Sequence, residues 1–146
     1  MFLEGLPSVP SHLFLMGTVS KQPVQSARAP KAVGPYSQAV RAGNLLFASG
    51  QIPLNPSDLS VVGQDVAGQI VQVLENLKNL LEDAGTSLEH VVKTTMFLKN
   101  MADFAKANEV YGRYFKAPYP ARSTIEVARL PKDVLVEIEA VAILPQ

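Results

Sequence analysis

The run Leu135-Val136-Glu137-Ile138-Glu139-Ala140-Val141-Ala142-Ile143 constrains the chain most, because it sets two carboxylates inside an otherwise apolar, strand-forming segment. Successive side chains of a strand point to opposite faces. Leu135, Glu137, Glu139, Val141 and Ile143 therefore line one side, and Val136, Ile138, Ala140 and Ala142 the other. A run this apolar belongs in the middle of a sheet, where an ionised carboxylate costs several kcal/mol unless it is paired or reached by water. Upstream, Pro118-Tyr119-Pro120-Ala121-Arg122 leads into a second β-forming run, Ser123–Ala128. The Leu130-Pro131-Lys132-Asp133 between the two runs reads as turn chemistry, which predicts a hairpin. The fold must then compensate one arginine and at least one of two carboxylates. Periodicity alone does not tell Glu137 from Glu139.

The chain has the length of one domain, 146 residues, and can bury a full core. Thirteen basic and thirteen acidic residues cancel, so no broad field draws nucleic acid or an anionic membrane. No apolar run approaches the roughly 20 residues needed to cross a bilayer. There are 0 cysteines, which removes disulfides, thiolate nucleophiles and thiolate metal sites and fits a reducing compartment. A cytoplasmic location is expected, with a mitochondrion or another organelle as the alternative. The 2 histidines, His12 and His90, have no ligand spacing around them, so neither a metal site nor a Ser-His-Asp triad is expected. His90 reads as a surface residue before a strand.

Residues 1–26 are low in charge and punctuated by Pro7, Pro10 and Pro23. Their apolar patch Leu13–Met16 is too short for a signal-peptide core, and Glu4 with the early prolines argues against a mitochondrial presequence. An N-terminal extension is expected, and Met16 is an alternative start. Beyond it, Gln38–Ala42 and Leu45–Ser49 read as strands joined at Gly43-Asn44. Gly50 marks a bulge or a close approach to the backbone, and Leu54–Gly63 is a loop. Val66–Ala84 carries apolar residues at helical spacing, with Asp65 as N-cap and Gly85 as the stop. Its Gln69, Gln72, Glu75, Lys78, Asn79 and Glu82 side is expected in solvent. Val91–Lys99 reads as a strand with Val92, Thr94, Met96 and Leu98 on one face. A second helix carries Met101, Phe104, Asn108, Tyr111 and Phe115 as its stripe. The order ββ-α-β-α-ββ predicts an α+β fold with two helices on one face of a mixed sheet. The other face would then expose Thr94/Met96/Leu98 and Leu135/Val141/Ile143, or their alternates, and favour self-association.

Gly34-Pro35-Tyr36-Ser37-Gln38-Ala39, Ser49-Gly50-Gln51, Val91–Thr95, Asn108–Tyr111, Pro120–Ser123 and Glu137–Ala140 together resemble, in order and spacing, the RidA (YjgF-type) family of reactive-intermediate enamine/imine deaminases. The resemblance covers about residues 27–144 and sets the expected domain at 27–146. It implies a chorismate-mutase-like homotrimer with clefts between neighbouring subunits. It also implies hydrolysis of 2-aminoacrylate, 2-iminopropionate, 2-iminobutyrate and related imines to 2-keto acids and ammonia, without a cofactor. On family positions, Arg122 grips the substrate carboxylate, a task suited to a guanidinium fork. Glu137 orients the attacking water and accepts its proton. Tyr36 joins these as a catalytic position, and Ser49, Gly50, Asn108 and Thr124 fall at substrate-binding positions. Glu126, Arg129 and Glu139 stay structural. Many relatives carry cysteine where this chain has Thr124, which removes any thiol role there. Two rival readings are a single-strand endoribonuclease that inhibits translation and a non-catalytic trimer acting as small-carboxylate binder or holdase. Balanced charge and the lack of a basic run give the ribonuclease no independent support.

Overall fold

The computed structural model describes residues 20–146, so the Leu13–Met16 patch, Met16 and His12 lie outside the described residues. Six strands form one sheet: β1 (Lys21–Val24), β2 (Ala39–Ala42), β3 (Leu45–Gln51), β4 (Val91–Leu98), β5 (Ala121–Glu126) and β6 (Val136–Ile143). Two helices, α1 (Val66–Asp83) and α2 (Phe104–Tyr114), complete the α+β fold. The spatial order is β1-β2-β3-β6-β4-β5. Strand β1 lies within the stretch read as an extension and pairs antiparallel with β2.

The expected C-terminal hairpin does not form. Strand β5 pairs parallel with β4, through Arg122↔Thr94 and Thr124↔Met96, while β6 runs antiparallel between β3 and β4. The connection through α1 leaves β3 and β4 parallel and one strand apart, and β6 fills that slot with both backbone edges paired. The Leu-Pro-Lys-Asp segment is therefore a link between non-adjacent strands. Lys132 and Asp133 both take left-handed backbone there, each at φ 55°.

Alternation along β6 separates the faces as anticipated. Val136, Ile138, Ala140 and Ala142 are buried beneath α1 with Ile70, Val73, Leu74, Leu77, Leu80 and Leu81. Asp65 caps α1 by accepting from the Gly68 N–H at 2.8 Å, and Gly85 ends it at φ +88°. Strand β4 buries Thr94, Met96 and Leu98, but a register shift between Val91 and Lys93 turns Val91 inward and leaves Val92 exposed. The stripe of α2 is met in part: the expected Tyr111 and Phe115 are buried, joined by Ala107 and Val110, whereas Met101, Phe104 and Asn108 face outward.

Two polar residues of α1 depart from the solvent-facing reading or escape it. Gln69 is buried, accepting from the Leu135 N–H at 2.7 Å and donating to the Gly63 carbonyl at 3.2 Å. Asn76, fully buried, donates to the Leu54 and Ile52 carbonyls at 2.9 and 3.3 Å. Both bind loop backbone that would otherwise carry unpaired groups.

On the face without helices stand Leu45 and Phe47 of β3, Thr95 and Phe97 of β4, Ile125 of β5, and Val141 and Ile143 of β6. Phe47, Ile125 and Ile143 are exposed by 46%, 45% and 40%. The alternates of Thr94/Met96/Leu98 thus form the patch on β4, and the anticipated Val141 and Ile143 form it on β6. Asn76→Ala is expected to lower folding stability by about 1–3 kcal/mol by stranding the two loop carbonyls. A urea melt should show a lower midpoint with the slope unchanged.

Candidate active site

The residues singled out from the sequence fall into two separate grooves of the chain. Tyr36, Ser49, Gly50 and Glu137 line one, a cavity of about 520 Å³. Asn108 and Arg122 line another, with Tyr111 and Tyr119. Register explains the division. Arg122 pairs with Thr94 and so projects on the helix side, whereas Glu137 pairs with Phe97 and projects on the uncovered side. Within one chain the sheet stands between them, so the arginine of the presumed hairpin does not compensate its carboxylate.

The β3 bulge builds the first groove. Pairing with β6 shifts register between Ala48 and Gln51, and Gly50 lies in the gap. A Cβ at Gly50 would collide with Glu137 Oε1 and stand 2.9 Å from its Cδ, so the missing side chain is the seat of the carboxylate. Glu137 is half-buried, and among the described residues no hydrogen bond to its carboxylate contributes to its environment. Burial first, and the like charge of Glu139 second, push its carboxyl above the ordinary value. Such a group takes a proton more readily than a surface carboxylate.

Ser49 donates its hydroxyl to the Ser37 carbonyl at 2.6 Å, which commits its proton and leaves its oxygen as an acceptor. Tyr36 is half-exposed beside it, and its hydroxyl accepts only a long 3.4 Å bond from the Val33 N–H. Gln38, which the sequence did not single out for the site, holds this wall together. Its amide donates to the Ser26, Ala29 and Pro30 carbonyls at 3.0, 3.2 and 2.9 Å, and its oxygen accepts from the Ser26 N–H at 2.8 Å. The segment is further clasped to the end of α1 by Arg28 and Asp83 at 2.7 Å. An isolated glutamine in a sequence carries no signal for such a role.

In the second groove, the Arg122 guanidinium lies 4.7 Å from the Tyr111 ring centroid and 5.6 Å from that of Phe104. The aromatic faces hold the plane of the fork while leaving its N–H edge open. Among the described residues, no carboxylate forms an ion pair with it. Tyr111 is fixed in turn by a 2.7 Å bond between its hydroxyl and Thr94 Oγ1. Asn108 is exposed in the same groove. Thr124 lies on the helix side with Arg122, and its Oγ1 is shielded from solvent without a hydrogen-bond partner among the described residues.

The residues read as structural have local partners or a surface position. Glu126 accepts from the Met101 N–H at 2.8 Å, Arg129 pairs with Asp133 at 2.6 Å, and Glu139 is exposed. His90 is partly exposed before β4, its Nδ1 2.9 Å from Ser87 Oγ. Among the described residues there is no cluster of potential metal ligands and no helix long and apolar enough to cross a membrane.

Comparison with known proteins gives one consistent result. Residues 26–144 match the family profile described as Endoribonuclease L-PSP. A RutC family protein of Pyrococcus horikoshii is 56% identical over 122 residues, spanning 84% of this chain and 97% of the relative. Reactive Intermediate Deaminase A, chloroplastic, of Arabidopsis thaliana is 46% identical over 127 residues, 87% of this chain and 68% of the relative. The crystal structure of TdcF from E. coli with bound serine superposes with a TM-score of 0.80 at 45% identity, covering 84% of this chain and 98% of that one. A match over nearly the whole described chain, carried by sequence and by fold, places it: the chain belongs to the YjgF/RidA family.

Proposed function

We propose that this protein hydrolyses 2-imino and 2-enamino acids to 2-keto acids and ammonia, at a site completed by a second copy of the chain. One observation carries the reading. An unpaired guanidinium and an unpaired, proton-seeking carboxylate occupy complementary grooves on opposite faces of the sheet. Packing the uncovered face of one copy beside the β5 edge of another brings the two halves together and buries Phe47, Ile125 and Ile143. A closed ring satisfies every such surface, and the expected form is a chorismate-mutase-like homotrimer. The catalytic unit is residues 27–146, with 1–26 an extension whose β1 portion joins the sheet. The relative named as a reactive intermediate deaminase supports the reaction class, and the TdcF complex supports binding of a small amino-acid-like ligand.

The chemistry follows from the groups available. Arg122 grips the substrate carboxylate through two parallel hydrogen bonds, and Asn108 and the Thr124 segment border that end. Glu137 orients a water toward the imine carbon and takes its proton as the C–O bond forms. The substrate reacts as its iminium, so the C=N π electrons move to nitrogen and leave a neutral amine in the tetrahedral adduct. Glu137 passes the water's proton to that amine, the C–N bond breaks as the hydroxyl oxygen forms the C=O bond, and the regenerated carboxylate takes the hydroxyl proton, which leaves with ammonia as ammonium. An enamine enters the same sequence after protonation at carbon gives the iminium. Ser49 supplies an acceptor for the imine N–H, and Tyr36 a hydroxyl for the nitrogen or the water. The family profile's description keeps RNA cleavage as a second reading.

Ammonia release from enzymatically generated 2-iminopropionate should be accelerated by the protein and abolished by Arg122→Ala in a folded oligomer. Persistent turnover in that variant would sink the clamp assignment. An RNA-cleavage assay of the same pair of proteins separates the ribonuclease reading. Glu137 acts ionised, and burial raises its pKa, so kcat/KM should fall as pH drops through a value above the ordinary carboxylate range. Glu137→Gln should lower the rate about 10²–10⁴-fold and remove that acid limb. Co-refolding inactive Arg122→Ala with inactive Glu137→Gln should restore turnover, because some sites then receive both native groups from different copies. No recovery in verified mixed oligomers would place the site within one chain.

A further inference from the structure

The lining that this chain contributes around Glu137 is mostly apolar. Ser49 and Glu137 share it with Val33, Ile52, Leu54 and Leu59. The proposed hydrolysis assigns these aliphatic side chains no role, and they line the same groove as the reacting groups.

Leu59 is held there against its own preference. It sits at φ 62°, in the left-handed region that a leucine rarely adopts. Lys132, which also takes a positive φ, lines the same groove. Lys132 Nζ donates to the Leu59 carbonyl at 2.9 Å and ties the two strained segments together. The loop around Leu59 is also bonded within itself. The Leu59 N–H donates to the Asn55 carbonyl at 2.9 Å, the Asn55 N–H to the Ser60 carbonyl at 2.8 Å, and Leu54 bridges Val61. Asn76 fixes its base from α1. The result is a rigid strap that holds an apolar side chain against the pocket.

We propose that Leu59, with Val33, Ile52 and Leu54, forms a side-chain subsite that selects 2-imino acids bearing branched apolar groups over the three-carbon acid. This deepens the deaminase reading and rests on it. A preorganised wall gains from added methylenes because it is already ordered when substrate arrives. Each methylene in such a pocket is worth on the order of 10–200-fold in specificity.

The test compares 2-imino-4-methylpentanoate with 2-iminopropionate, each generated in situ from leucine or alanine by an amino-acid oxidase, with spontaneous hydrolysis subtracted. The native protein should prefer the branched acid by at least about tenfold in kcat/KM. Leu59→Asn, which tolerates left-handed backbone but presents a polar surface, should reduce that ratio by about tenfold. Leu59→Gly, which relieves the backbone strain, serves the same comparison if the asparagine variant does not fold. Turnover of both acids with a ratio near one, or a ratio unchanged in the folded variant, overturns the subsite and leaves the deaminase reading standing. Turnover of neither acid by the native protein removes both.

Discussion

The architecture depends on one strand lying where its sequence divides cleanly. Strand β6 occupies the slot between β3 and β4, and its even-numbered residues are all apolar while two of its odd ones are glutamates. A slip of one residue would drive Glu137 and Glu139 under α1 and expel Ile138 and Ala140 to the open face. The packing of the core and the placement of the carboxylate are thus one decision. The register that buries Val136, Ile138, Ala140 and Ala142 also delivers Glu137 to the β3 bulge, so a stable fold already contains half of the candidate site.

That half is kept at some cost to stability. The folded-state pKa of Glu137 is raised, so the stability it contributes below its unfolded value is lost as pH rises through the folded one. At neutral pH its ionised form weighs against folding, and Leu59 and Lys132 add backbone strain in the same groove. The buried aliphatic layer between α1 and β6 offsets these terms. Arg122, by contrast, rests on the Tyr111 and Phe104 rings near the surface.

Much of this was legible in the sequence, for physical reasons that can be named. The α1 stripe, its Asp65 cap and the Gly85 stop are local signals, and the structure reproduces them. The Gly50 irregularity was marked by a glycine at a strand end, and it proved to be the carboxylate's seat. The hairpin failed because turn chemistry reports a change of direction without saying which strand the chain next pairs with. The partly shifted stripe of α2 has a similar origin: a short helix with scattered apolar residues admits two faces, and packing keeps Tyr111 and Phe115 inside while adding Ala107 and Val110. Gln69, Asn76 and Gln38 were illegible because their worth lies in binding distant backbone, which no spacing rule encodes. The division of Arg122 from Glu137 followed from parallel pairing of β5 with β4, a long-range fact.

The empty space at Gly50 carries a further consequence. The Glu137 carboxylate occupies the volume where any other residue's Cβ would stand, so positions 50 and 137 share one parcel of space. Neither can drift in evolution without regard to the other. A descendant that abandoned the acid could fill the vacancy with an ordinary side chain and gain backbone rigidity. One that kept it would have to retain the glycine, however far its remaining sequence diverged. In homologues or redesigned variants, the pair of identities at these positions should therefore report whether the carboxylate still has a place to sit.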